Sequence, residues 1–424
     1  MRRTLPSAAG WVLSAVLLAA PPQVAFAQGP MPKVEFDEAV ARALDKNPTI
    51  AQAMTAITRA EAFVAQSRAL TLPSVSASVT SVTLDGSRGF EGTTTQPQSQ
   101  VSIGGSVNYL TGKWYAANQA KDQVEVATLS VGEVRQQIAV ATAQAYLAVI
   151  AARRQVQVAE TSLEAARAHL DYAQKRLEGG AGSRLNQLRA AQAATTDEGR
   201  LELFRLAMLR AQEALGVLLV NDGPVDAGAE PSFELPADQD LATLATTRPD
   251  MLTQAAIRRA AEHVVKDHWT EWAPFPSLSF SPVAVAPAGL FQPGRSWSFA
   301  VNFAQPIFDG GQRRALLRQR QTAVEESKLA FISLEIQARS DVRVARDSIQ
   351  YLERALAIAR TSADQANEVV RITTSAFEVG ATTNIEVIDA QRVARDTETA
   401  AALAEDAVRR AKLDLLVALG RFPK

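Results

Sequence analysis

The chain has 424 residues, no cysteine and a formal net charge of −1. A disulfide framework, a thiolate nucleophile, a cysteine-based metal site and a lipid anchor on a cysteine are all excluded. So balanced a charge gives no electrostatic ground for binding nucleic acid.

Arg2 and Arg3 precede an apolar run over 11–20, and Ala25, Phe26 and Ala27 offer small residues for cleavage, so residues 1–27 read as a signal peptide of an exported protein. Pro21, Pro22 and Gln23 end that run, well short of the roughly 18 apolar residues of a spanning helix.

Beyond it the chain repeats itself at an offset of about 200 residues. Asn47-Pro48 matches Arg248-Pro249, Leu72-Pro73-Ser74 matches Phe275-Pro276-Ser277, and Leu177-Glu178-Gly179-Gly180-Ala181 matches Phe377-Glu378-Val379-Gly380-Ala381. Residues 28–220 form the first repeat, 221–240 a linker rich in Pro, Gly and Asp, and 241–424 the second.

The first repeat opens with a helix over about 36–70 and continues into a strand hairpin over about 74–109, where Val75, Ala77 and Val79 alternate with Ser and Thr, then Val101, Ile103, Val107 and Tyr109 with Ser and Asn. Long helices follow over 113–178 and 184–219, separated by a tip at Gly179-Gly180. In the second repeat a helix over about 241–272 leads to a hairpin over about 277–305, with Trp297, Phe299, Val301 and Phe303 alternating. Its other strand contains Pro282, which fits only an edge or a bulge. Long helices over 311–378 and 384–419 close the chain around Gly380.

Strands of about 10 residues with one apolar face have outer-membrane barrel patterning. Four strands cannot close a barrel, and open edges in lipid cost several kcal/mol for each unpaired group, so copies must share one. Two copies would fill their own interior, whereas three leave a lumen. The expected fold is an α+β membrane protein with an internal two-fold repeat. Four strands per chain, twelve per trimer, form a transmembrane β-barrel continuous with a long periplasmic coiled-coil barrel of helices.

No catalytic motif is present, and the glycines of 178–183 lack the lysine of a phosphate loop. His169 stands alone, and His263 and His268 have no third ligand beside them, so all three read as surface or groove residues. The chain is expected to be neither an enzyme nor a holder of metal or cofactor. A periplasmic coiled-coil scaffold without a pore is the competing class.

The duplicated helix–hairpin–helix order, the Pro-Ile-Phe-Asp-Gly-Gly run over 306–311 and the tip segments 176–188 and 377–391 resemble the TolC family of outer-membrane efflux proteins. The first repeat departs from that pattern, with Leu110-Thr111-Gly112-Lys113-Trp114 in place of the Asp-Gly-Gly turn. The resemblance implies a homotrimer held in outer-membrane lipid and extending into the periplasm. The missing cysteine departs from the many relatives that use one for lipidation, so the chain is expected to be held by its barrel alone and not lipidated. It implies a passive exit duct for efflux or type I secretion, partnered by a periplasmic adaptor (membrane fusion) protein and an inner-membrane transporter.

By the same resemblance, Glu386 and Asp389 form the periplasmic gate, and a ring of such carboxylates would favour cations. Alternatively Thr383 and Glu386 form a capping box, and Asp389 pairs with Arg392 or Arg189. The adaptor-docking tips implied are Arg176, Leu177, Gly180, Ser183, Phe377, Gly380, Thr382 and Thr383. Val101, Ile103, Tyr109, Trp297, Phe299 and Phe303 are expected to face lipid, and Trp114 and Tyr115 to lie at the membrane boundary or in a core.

Overall fold

The computed structural model describes residues 31–423 apart from 92, 112, 237–243 and 306, so the expected signal peptide, Gly112, Pro306 and the end of the linker lie outside the described residues. A short strand β1 (Lys33–Val34) leads into α1 (Phe36–Lys46) and α2 (Pro48–Ala69). The single helix expected over about 36–70 is therefore broken at Asn47. Proline forces the residue before it out of the helical region, and Asn47 Oδ1 then caps the new helix by accepting from Thr49 N at 2.9 Å.

Next come β2 (Ser74–Thr83), a small outer hairpin β3 (Arg88–Phe90) and β4 (Thr93–Gln96), and β5 (Ser99–Leu110). The long α3 (Trp114–Glu178) and α4 (Arg184–Leu218) follow, and β6 (Asp226–Ala227) returns to pair in parallel with β1. The second half runs α5 (Leu244–Thr247), α6 (Pro249–Lys266), a 3-10 turn (Asp267–Glu271), β7 (Pro276–Ala286), β8 (Arg295–Phe303), α7 (Gln312–Glu378) and α8 (Asn384–Ala418). The helix expected over 241–272 is thus three pieces, restarted at Pro249 for the same reason as at Pro48.

The 65 residues of α3 and 67 of α7 give rods of about 100 Å at about 1.5 Å per residue. Their partners are stacked shorter helices. Asn47 Nδ2, at the start of α2, donates to Leu218 O at 3.3 Å at the end of α4. In the duplicate, Arg248 Nη1 donates to Ala418 O at 3.4 Å and Thr247 Oγ1 to Leu419 O at 3.1 Å. Each junction satisfies carbonyls that a helix end leaves bare. The chain therefore contributes four helical columns, with α3 packed on α4, α2, α8 and α6, and α7 packed on α8 and α6. Phe36, Tyr146, Phe233 and Phe422 gather into an apolar core around the first junction, and Leu244, Met251, Val342 and Leu415 belong to another around the second.

The strands form one antiparallel sheet in the order β2-β5-β7-β8. Its register puts Val75, Val79, Val101, Ile103, Val107, Tyr109, Leu278, Phe280, Trp297, Phe299, Val301 and Phe303 on one face. Ser76, Ser78, Ser102, Ser106, Asn108, Ser279, Ser281, Ser298 and Asn302 occupy the other. Pro282 departs from expectation, because β7 lies between β5 and β8 instead of at an edge. Pro282 keeps its pairing with Trp297, while the ladder to β5 lapses between Phe280 and Val283, beside Gly105 and Ser106. A residue without an N–H sacrifices one neighbour and retains the other.

Where strands pass into helices, aromatic rings collect. The Trp114 ring lies 6.5 Å from Tyr115 and 6.4 Å from Trp269, and Trp269 lies 6.3 Å from Phe275. The Arg313 guanidinium stacks on Trp272 at 4.0 Å. This cluster has the make-up of a membrane-interface girdle. The two strand-to-helix turns are held differently: Asp309 clasps the start of α7, whereas in the first repeat Thr111 Oγ1 donates to Pro276 O at 2.7 Å.

Candidate functional site at the helical tips

Each long hairpin turns through a glycine in the left-handed region, Gly180 at φ 75° and Gly380 at φ 80°. Ala181 N returns to Arg176 O at 2.9 Å and Ala381 N to Ala376 O at 2.8 Å, closing both helix ends alike. A Cβ on either glycine would meet nothing within 4 Å, so backbone conformation and not space demands glycine there.

The helices that leave the tips begin differently. Ser183 Oγ accepts from Asn186 N at 3.2 Å, but the side chain of Thr383 makes no capping bond. The capping box, the alternative for Thr383 and Glu386, is absent: Glu386 N bonds to the backbone oxygen of Thr383 at 3.2 Å. Beside it the Thr382 hydroxyl is shut away from solvent without a hydrogen-bond partner among the described residues.

Between the two tips lies a joint built by α3, the end of α7 and the start of α8. Phe377 is only 6% exposed, with the His169 ring 5.4 Å away, Tyr172 5.7 Å away and the Arg176 guanidinium 5.6 Å over it. His169 Nε2 meets Asn384 Oδ1 at 2.7 Å, and Asn384 Nδ2 donates to Asn186 O at 3.2 Å. Burial holds the His169 imidazole below its ordinary pKa, with the Asn384 hydrogen bond acting the other way.

Three expectations are corrected here. Phe377 cannot offer a docking surface, because its ring fills the joint. His169 is buried and bridges the two hairpins, not solitary. His268 is buried too, accepting from Trp272 Nε1 at 3.2 Å, whereas His263 stays exposed beside Asp122 at 2.8 Å. Sequence spacing alone cannot pair residues 169 and 384; the available signal is an isolated histidine one helical turn from Tyr172 and two from Arg176.

The remaining tip residues are accessible, with Ser183, Gly180, Gly380 and Thr383 exposed and Arg176, Leu177 and Thr382 half-buried. Glu386 and Asp389 lie on one face of α8 and line a groove with Ile385, Val393 and, from α7, Val369 and Thr373. Asp389 Oδ1 accepts from Arg392 Nη2 at 2.7 Å and Nε at 3.2 Å, so Arg392 is its partner and Arg189 is not. Glu386 has no ion pair among the described residues. Farther along α8, Arg395 reaches Asp197 of α4 at 2.6 Å, both side chains being 10% exposed.

Among the described residues no cluster of His, Asp and Glu could hold a metal ion, and no helix is long and apolar enough to cross a membrane.

A family model described as outer membrane efflux protein matches residues 39–220 and 243–421. The outer membrane protein OprJ of Pseudomonas aeruginosa is 27% identical over 315 residues, 70% of this chain and 62% of OprJ, so under two thirds of that relative is spanned. Nodulation protein T of Rhizobium leguminosarum bv. viciae is 24% identical over 403 residues, covering 88% of this chain and 80% of the relative. Among solved structures, a membrane protein from Pseudomonas aeruginosa superposes with a TM-score of 0.79 at 24% identity, covering 92% of this chain and 91% of the other. The outer membrane protein VceC from Vibrio cholerae gives 0.76 at 19%, covering 91% and 96%. The latter two likenesses establish the fold.

Proposed function

This chain belongs to the outer membrane efflux protein family, and from that premise we propose that three copies close a shared barrel and act as a passive exit duct. Its place is the outer membrane, with the helices extending into the periplasm.

The observation that carries this reading is the sheet. One face is mainly aliphatic and aromatic, with Arg295 at one end, and the other is mainly serine and asparagine, with Val82, Val283 and Val285 among them. Among the described residues neither β2 nor β8 has a second neighbour. A sheet so divided suits lipid outside and water inside only when its edges are paired, and β2 of one copy against β8 of the next does that. Three copies give twelve strands and a lumen, continued by twelve helical columns.

On this reading a periplasmic adaptor docks at the exposed residues of the tips and an inner-membrane transporter supplies the energy. The duct serves either efflux or type I secretion. Glu386 and Asp389 face the constriction where the columns converge, and the repeat boundaries 28–220 and 241–424 mark two halves of one wall.

The test is envelope fractionation with gentle detergent, followed by mass determination and bilayer recording. A detergent-dependent trimer from the outer membrane that conducts ions is the expected outcome. A monomer or dimer released without detergent would overturn the duct and favour a periplasmic scaffold.

A further inference from the structure

We infer that Arg392 is a specificity-determining residue of the constriction, a built-in counter-charge that offsets Asp389 and leaves Glu386 as the carboxylate that acts on passing ions. The inference rests on the gate reading above. Its own ground is the ladder of charges along α8.

Asp389, Arg392 and Asp396 succeed one another at spacings of three and four, so they share a helix face. Arg392 holds Asp389 at 2.7 Å through Nη2 and reaches Asp396 at 3.7 Å through Nη1. Asp396 is already served by Arg395 at 3.1 Å and, across the helix pair, by Arg200 at 3.6 Å. Arg392 is therefore committed chiefly to Asp389, and any surface that displays the Asp389 carboxylate displays the guanidinium with it. Glu386, one turn nearer the tip, has no such companion among the described residues.

The pair need not be strong to matter. Exposed ion pairs add little to stability, but the guanidinium charge acts on any ion within about a Debye length, roughly 8–10 Å, whether or not the pair is tight. Glu386, Asp389 and Arg392 together bring one net negative charge per chain to the constriction. A multivalent cation feels half the charge that the two carboxylates alone would give.

Bilayer recordings with trivalent lanthanum as the blocking ion test this, on variants first shown to be trimers in detergent. Arg392→Gln should lower the half-blocking lanthanum concentration by about tenfold, by Coulomb's law with salt screening, and raise cation over anion permeability. Asp389→Asn should weaken block, and Asp389→Asn with Arg392→Gln, which restores the native net charge, should return block to near the wild-type level. Block unchanged in Arg392→Gln while Glu386→Gln with Asp389→Asn abolishes it would overturn this inference and leave the gate standing. Block unchanged in that double carboxylate variant as well would remove the gate reading and this inference with it.

Discussion

His169 Nε2 lies 2.7 Å from Asn384 Oδ1, tying the long hairpin of the first repeat to the first turn of α8. The amide is oriented by its second bond, Asn384 Nδ2 to Asn186 O, so the imidazole donates from Nε2. Burial depresses its pKa. The opened joint therefore binds a proton more readily than the closed one, and closure is fully stable above the ordinary pKa of about 6.5 and weakens as pH falls below it. Hydrogen exchange at the tips, corrected for intrinsic rates, should show the joint opening more at about pH 5.5 than at about pH 7.5. His169→Gln should flatten that dependence; an equal dependence in the variant would remove histidine as its cause.

Arg395 and Asp197 form a buried ion pair between α8 and α4 at 2.6 Å. Breaking a buried pair from one side leaves the other charge uncompensated, at a cost of about 3–5 kcal/mol. Asp396, which Arg395 also meets at 3.1 Å, softens the loss of Asp197 by keeping a carboxylate beside the guanidinium. Asp197→Leu should thus cost toward the low end of that range, and Asp197→Leu with Arg395→Met should recover most of it. A double-mutant cycle on thermal unfolding of the trimer measures the coupling, and additive effects would show the pair to be unimportant.

The long helices, the two tips and the alternating strands are legible in the sequence because each is a local pattern. Period-two alternation marks β8 directly, and Gly180 and Gly380 mark turns by the backbone they permit. Periodicity alone runs a single helix through Asn47 and Arg248 because apolar residues on both sides keep helical spacing, and it is Pro48 and Pro249, each starting a new helix, that mark the breaks. Pro282 misleads it because its neighbours on both sides are set by strands from the two different repeats. The joint of His169, Phe377 and Asn384 depends on residues about 200 apart in the chain, which only packing brings together.

The sheet faces make opposite predictions for neighbouring residues of β8. Phe299 lies on the apolar face, paired with Phe280, and Ser298 on the polar face, paired with Ser281. Phe299→Arg should cost about 2–4 kcal/mol if it meets lipid near the midplane and so reduce the trimer recovered from outer membranes. Ser298→Arg should assemble normally and lower cation conductance, since it would stand in the lumen. Equal assembly of both variants would overturn the assignment of faces.

At the start of α7, Asp309 Oδ1 accepts from Gly311 N at 3.0 Å while Oδ2 accepts from Arg313 Nε at 2.6 Å and Arg313 N at 3.1 Å. The Arg313 guanidinium, stacked on Trp272, thereby clamps the strand-to-helix turn to the aromatic girdle. Its hydrogen bond, ahead of those from the two backbone amides, holds the Asp309 carboxyl down at a pKa of about 2. The sign follows from the depressed value. An unfolded aspartate takes its proton near pH 3.9, the folded one only near 2, so the clasp stabilises fully above about pH 4 and fades between the two. Asp309→Asn should lower the unfolding temperature of the trimer by the same amount from about pH 7 to about pH 5, with the gap closing as pH falls toward 2. Arg313→Lys should be destabilising across that whole range, because an ammonium keeps the charge but loses the flat stack on the indole. A gap between wild type and Asp309→Asn that stays constant down to pH near 2 would show that shape, and not the ionised carboxylate, holds the turn.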